Sequence, residues 1–411
     1  MYLSDLTALK SLVENTASFK AQIKGERKTE FNALYTRLAS ENISNANSYK
    51  YFYNLSQLIF PVRDNHLGFY SLPNYDLFRT KESIDSFVAT KAFFDYPSTS
   101  LNIDSLKAIL SAKPIESIEG IYYYDKYYTV GLFKNGDKEY LGVILDSDIN
   151  FWKKGNIAIQ LYEFAPNLFK AIYGHPYFKH FILQPIEKYQ NQALVNSFFY
   201  GSYSQSVYAK KIDKEDYVNL PKNSSKFALK TFNEEIQYLL IQSFQADQIT
   251  SQASQRFYDS VKNLLIAPNL VLDLRNNEGG ADKEMRKYFK LLKEYVKNGK
   301  LYVLVNNGTL SQAEIFTLEL KQLKNVSILG QQTKGKLSYG SNYGKKERLP
   351  SGRFEFYSTD MNNGSALLQY EDYGINPDYI LLNDKDWMEQ VIDFLKKKII
   401  PTINSFTQID F

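Results

Sequence analysis

From about residue 227 the chain alternates short apolar runs with amphipathic stretches of helical period, and this succession limits its fold more than any other feature. "IQYLLIQSF" (236–244) reads as a strand and "SQASQRFYDSVKNLLIA" (251–267) as a helix. "NLVLDL" (269–274) is a strand buried on both faces, followed by the amphipathic helix "ADKEMRKYFKLLKEYVKN". "LYVLVNN", "SQAEIFTLELKQL" and "VSILGQQT" repeat the strand–helix–strand order. Such an order predicts a parallel sheet with helices covering it, and sites in such sheets lie at the carboxyl ends of the strands. Asn277–Gly280 and Gly308–Ser311 occupy that edge.

Two further regions precede this core. Residues 3–60 read as helices: "SDLTALKSLVENTA" with Ser4 or Asp5 as cap, "TEFNALYTRLAS" with Phe31, Leu34, Tyr35 and Leu38 on one face, and "NSYKYFYNLSQLIF" stopped by Pro61. Residues 115–210 are rich in aromatic and β-branched residues, and Asn135-Gly136 sits between two such runs as a hairpin signal. "NIAIQLYEF" and "HFILQPIEKY" continue the strands, and "LPKNSSK" (220–226) reads as a linker. The expected organisation is an N-terminal helical region (1–114), an inserted Tyr-rich β domain (115–225) and an α/β core (226–411).

Composition closes several routes. There is no cysteine, which excludes disulfides, thiol catalysis and thiolate metal sites. Net charge is +4 with both signs mixed, so no footprint for nucleic acid stands out. The run Lys396–Lys398 reads as a solvated helix face. No apolar stretch is long enough to span a membrane, and "MYLSDLTALK" has no signal-peptide pattern. Three histidines exist, His66, His175 and His180, so imidazole chemistry has to use one of them.

Five segments can carry chemistry. In "DLRNNEGG" (273–280) two glycines permit close backbone approach, and the helix that follows directs free N–H groups to the same spot. That suits a phosphate or a developing oxyanion, but a plain tight turn has the same sequence. Ser311 follows Asn-Asn-Gly and precedes a helix; with Glu314 it forms a capping-box pattern, so it reads as a cap or a nucleophile. His66 lies in "RDNHLGF", beside an Asp and an Asn. "QTKGKLSYG" (332–340) lacks the spacing of a phosphate loop, and its Lys336 is a solvated loop lysine or a desolvated base. "YEDYGINPDYIL" (370–381) holds Glu371 ahead of an Asn-Pro-Asp turn.

Taken together and in order, these segments resemble the serine peptidases that include the tail-specific (C-terminal processing) proteases and the tricorn core. "NLVLDLRNNEGG" is similar to that family's strand and Gly-Gly turn, "VLVNNGTLSQAEIF" to its nucleophile segment, "GINPDY" to its Gly-x-x-Pro-Asp segment and "VRDNHLGF" to its D-x-H segment. The resemblance implies a crotonase/ClpP-like βαβ core with an N-terminal helical region and an inserted antiparallel β domain. It implies Ser311 as nucleophile, an oxyanion hole from the N–H groups of Gly279 and Gln312 with Gly280 beside them, peptide or protein substrates, no cofactor and no metal.

The family has two catalytic styles. In the tail-specific style a lysine about two dozen residues after the serine is the base; Lys336 lies 336 − 311 = 25 residues on, but Gly340 stands where that style has a glutamine. In the tricorn style the base is a histidine from the N-terminal part, assisted by a glutamate before Gly-x-x-Pro-Asp; His66 and Glu371 match, and Asn65 stands in place of the tricorn serine. The histidine style is the expectation, with Lys336 as alternative base. No G-L-G-F-like loop of a PDZ domain is found. The family's habits imply a bacterial envelope or secreted location. The competing expectations are a non-catalytic ligand- or peptide-binding protein on the same scaffold and a crotonase-like acyl-handling enzyme. Nothing in the sequence specifies an oligomeric state.

Overall fold

The computed structural model of the chain describes residues 1–45, 48–202, 204, 206–211, 215–341 and 345–399. These form two compact units. Within the described residues, one spans 1–211 and 338–372, the other 215–337 and 373–399.

In the second unit, strands Ile236–Ile241, Asn269–Asp273, Lys300–Val305 and Val326–Gly330 run parallel in that order, as the apolar runs predict. Tyr379–Ile380 adds a parallel edge, and Phe227–Asn233 an antiparallel one that the sequence reading did not anticipate. Alternate residues serve opposite faces. Leu239, Leu272 and Val303 pack with Met285, Tyr288 and Phe316, whereas Leu240, Val271 and Leu304 pack with Trp387, Val391 and Leu395. Both faces are therefore core, which is why these strands are apolar without alternation. The residues read as a linker are partly tied down: the Leu220 N–H donates to Asn276 Oδ1 at 2.9 Å.

The first unit contains an antiparallel β barrel. Strands Gly120–Tyr124, Tyr128–Gly136, Glu139–Ser147, Ile157–Ala165, Leu168–Gly174 and Phe181–Gln190 follow one another. Ala193–Leu194 pairs with both Phe181–Gln190 and Tyr208–Ala209, which in turn pairs with Gly120–Tyr124 and closes the ring. Closure removes exposed strand edges. Tyrosines fill the interior: Tyr122, Tyr124, Tyr173 and Tyr208 are buried, and the Tyr128 and Tyr208 hydroxyls share a hydrogen bond of 2.7 Å. A ring with a polar tip fills volume while its hydroxyl finds a partner. The hairpin signal is displaced by two residues. Gly136 still pairs with Glu139, so Asp137 and Lys138 make the turn, with Lys138 at φ 59°.

The N-terminal helices Tyr2–Asn15, Glu26–Ala39 and Tyr49–Gln57 lie where their periodicity places them. Asp5 is not a cap but a buried acceptor, taking the Tyr51 hydroxyl and the Ser351 N–H at 2.8 Å each. Strand Gly68–Ser71 joins the outer side of Phe181–Gln190 and continues through Phe354–Tyr357 to Lys346–Arg348. The lysine run ends helix Trp387–Ile399; Lys396 is exposed, and the side chains of Lys397 and Lys398 lie outside the described residues. Among the described residues no helix is long and apolar enough to cross a membrane.

Candidate active site

The carboxyl ends of the parallel strands hold five of the sequence-predicted residues, all in the second unit. Ser311 lies between strand Lys300–Val305 and helix Gln312–Lys321. The turn leading to it is tied to the neighbouring strand. Asn306 Oδ1 accepts the N–H groups of Asn276 and Gly308, each at 3.0 Å, and the Thr309 hydroxyl donates to Leu274 O at 2.8 Å. The Leu310 N–H donates to Asn277 O at 3.0 Å.

Ser311 is not in the conformation of an ordinary cap. Ser48, a conventional cap, has φ −71° and ψ 146°, whereas Ser311 has φ 58° and ψ −123°. A non-glycine residue there stores about 1–3 kcal/mol of strain, which the surroundings have to hold in place. They do so through the Ser311 N–H, which donates to Lys336 O at 2.9 Å and to Glu314 Oε2 at 3.1 Å. The fully buried Glu314 also accepts the N–H of Gly335 at 2.8 Å, the N–H of Lys336 at 2.9 Å and the Thr333 hydroxyl at 2.6 Å. Its carboxylate thus knits the serine turn to the loop after strand Val326–Gly330. Lys336 reaches the serine turn through its backbone, on both its N–H and its carbonyl.

The Gly-Gly turn lies against the same backbone. Gly279 has φ 83°, and a Cβ there would stand 2.7 Å from Gln312 N and 2.8 Å from Leu310 O. A Cβ on Gly280 would stand 2.1 Å from Phe244 O. Both positions therefore require glycine. Asn277 Oδ1 accepts the Gly279 N–H at 2.9 Å, and Asn277 Nδ2 donates to Ile241 O at 2.9 Å. Beneath the turn the buried pair Asp273–Arg275, at 2.7 Å, receives the Tyr238 hydroxyl, and the Arg275 guanidinium lies 5.1 Å from the Trp387 ring. Gln312 opens the helix, so its N–H belongs to the first-turn groups that carry positive potential.

The first unit holds the other three, His66, Asn65 and Glu371, two residues or more ahead of strand Gly68–Ser71 or in the loop before residue 373. Asp64 is fully buried; its Oδ1 accepts the His66 N–H at 3.1 Å and its Oδ2 the Thr359 hydroxyl at 2.6 Å. Gln22 brackets Arg63, donating to its carbonyl at 2.8 Å and accepting its N–H at 3.0 Å. Glu371 is fully buried and accepts the Asn65 N–H at 2.7 Å and the Ser338 N–H at 2.8 Å. Asn65 and Glu371 are thus brought together through the Asn65 backbone. Arg63 and Gln22 carried no sequence signal for this role, since their partners lie far away in the chain. His175 and His180 sit in the barrel with their rings 4.9 Å apart, and burial holds both below the ordinary histidine range, His180 down to about 3.

A sequence model of peptidase family S41 matches residues 235–295 and 281–381. No curated protein matches the sequence. Among solved structures, the chain is similar to a putative peptidase from Parabacteroides merdae, at 12% identity over 99% of each chain with a TM-score of 0.41. It is also similar to a putative S41 protease from Bacteroides fragilis, at 11% identity over 96% of this chain and 98% of that one, with a TM-score of 0.38. A lipoprotein from Streptococcus agalactiae is 21% identical over 43% of this chain and 71% of its own, with a TM-score of 0.31. The match to the model of peptidase family S41 lies within residues 235–381 and spans both Gly279-Gly280 and Ser311.

Proposed function

We propose that the protein hydrolyses peptide bonds of short or unfolded peptides through an acyl-enzyme on Ser311, with His66 as general base. The observation that carries this reading is the conformation of Ser311: a serine held at φ 58° at the head of a helix, with a glycine packed against the backbone on either side of it. A plain helix cap needs neither feature.

In this reading His66 takes the proton from Ser311 Oγ as that oxygen attacks the peptide carbonyl. The tetrahedral oxyanion receives the Gln312 N–H from the helix start. The second donor is the N–H of Gly280, or that of Gly279 once it leaves Asn277 Oδ1. His66 then protonates the leaving amine, and water hydrolyses the ester. Glu371 and Asn65 hold the histidine segment, and Lys336 is the alternative base. The resemblance to envelope peptidases extends the reading to an envelope or secreted location.

The experiment is cleavage of an unstructured fluorogenic peptide together with labelling by a fluorophosphonate. Ser311→Ala is expected to lose several orders of magnitude in kcat and all labelling. His66→Ala is expected to lose comparable activity and Lys336→Ala much less. Wild-type cleavage by Ser311→Ala refutes the nucleophile, and the reverse ranking of the other two makes Lys336 the base. A wild-type protein that neither cleaves nor labels is instead a binding protein on this scaffold.

A further inference from the structure

We propose that Asp372, through Asn65 and Arg63, is a positioning residue for the segment that carries His66. The inference rests on the reading of His66 as general base.

Asp372 follows Glu371 and is 2% exposed, with φ 72°. An aspartate in the left-handed region, out of solvent, is kept there by its partners. Its Oδ1 accepts Asn65 Nδ2 at 3.0 Å, and its Oδ2 accepts Arg63 Nε at 2.8 Å. Lys170 Nζ stands 3.5 Å from Oδ1. Arg63 donates onward from Nη2 to the carbonyls of Leu368 and Glu371, so it binds both the side chain and the backbone of the loop that holds Asp372. Burial pushes the Asp372 carboxyl up, but Lys170, Arg63 and Asn65 outweigh this and hold it below the ordinary aspartate range.

The arrangement has a consequence for the residue next to the base. Asn65 is held twice by consecutive acids, its backbone N–H by Glu371 and its side-chain amide by Asp372. A backbone hydrogen bond alone leaves the chain free to pivot about it. The second bond, from a side chain anchored by an ion pair, removes that rotation and fixes the direction in which residue 66 leaves the turn. An asparagine at position 65 suits this duty because its amide donates to a carboxylate, whereas its backbone remains available to Glu371.

Asp372→Asn keeps the shape and an acceptor oxygen but loses the charge that holds Arg63 and Lys170. It is expected to lower kcat about 10- to 100-fold on an unstructured peptide, with KM within about twofold, the loss typical of a catalytic group displaced by around 1 Å. Asn65→Ala, which leaves Asp372 and its ion pairs in place, is expected to show the same kcat–KM split. The double variant is expected to be no worse than the poorer single variant, because both changes break one linkage. Circular dichroism checks that each variant is folded, and if Asp372→Asn does not fold, Asn65→Ala decides. Folded variants with kcat within twofold of wild type, alongside inactive His66→Ala and Ser311→Ala, overturn the proposal while leaving the catalytic reading standing. Full activity of His66→Ala overturns the reading and the proposal together.

Discussion

Removing the Glu314 carboxylate is the sharpest test of how the serine turn is held. Four donors converge on it: the N–H groups of Ser311, Gly335 and Lys336, and the Thr333 hydroxyl. In Glu314→Ala all four lose that acceptor. The Ser311 N–H keeps its bond to Lys336 O, and a hydroxyl can turn to another partner, so the cost falls mainly on two amides. A buried donor that loses its acceptor costs about 1–3 kcal/mol, which gives about 4 kcal/mol for the pair. That is a large share of a typical stability of about 5–15 kcal/mol. Glu314→Gln keeps one acceptor oxygen and brings an NH2 group against a donor, for about 2 kcal/mol. The assay is urea unfolding in a Trp152→Phe background, because the other of the two tryptophans, Trp387, lies in the second unit and is fully buried. A destabilisation below about 1 kcal/mol in Glu314→Ala would refute the view that this carboxylate anchors the loop.

Two further predictions follow from the geometry. Gly280→Ala places a Cβ 2.1 Å from Phe244 O at φ 138°, so the turn has to open; the expected result is loss of peptide cleavage with a lowered melting temperature, read by activity and calorimetry. His180 is pressed down to about 3 by burial and by the neighbouring His175, against about 6.5 when unfolded, so the unfolded chain binds the extra proton as the pH falls below about 6.5. Its contribution is full above that pH and declines towards pH 3. Between pH 7 and 5 wild type should lose about 1–2 kcal/mol more stability than His180→Gln, measured by urea titration at each pH.

Local pattern carried much of this protein. The parallel order of strands 236–330 follows from apolar runs alternating with amphipathic helices, because a strand buried on both faces has no polar positions to offer. Ser311 was legible as the residue between a turn and a helix, and Glu314 as its cap partner three residues on. The sequence put the hairpin turn at Asn135-Gly136, but the strands pair two residues further, where Lys138 adopts a positive φ. The local signal located the hairpin, and cross-strand pairing set its register.

What the chain by itself determined was which segments become strands and helices, and hence that a serine and a Gly-Gly turn reach one edge of a parallel sheet. Only the tertiary structure decided what each of them touches. The barrel closes through the short strands Ala193–Leu194 and Tyr208–Ala209, each too brief to leave a periodic signature. Glu314 gathers donors from a loop about 20 residues away, Gly279 leaves no room for a side chain beside Gln312, and Asp372 meets Arg63 from the other end of the first unit. Hydrogen-bond partners and close packing between distant residues depend on position in space, and no window of neighbouring residues encodes that.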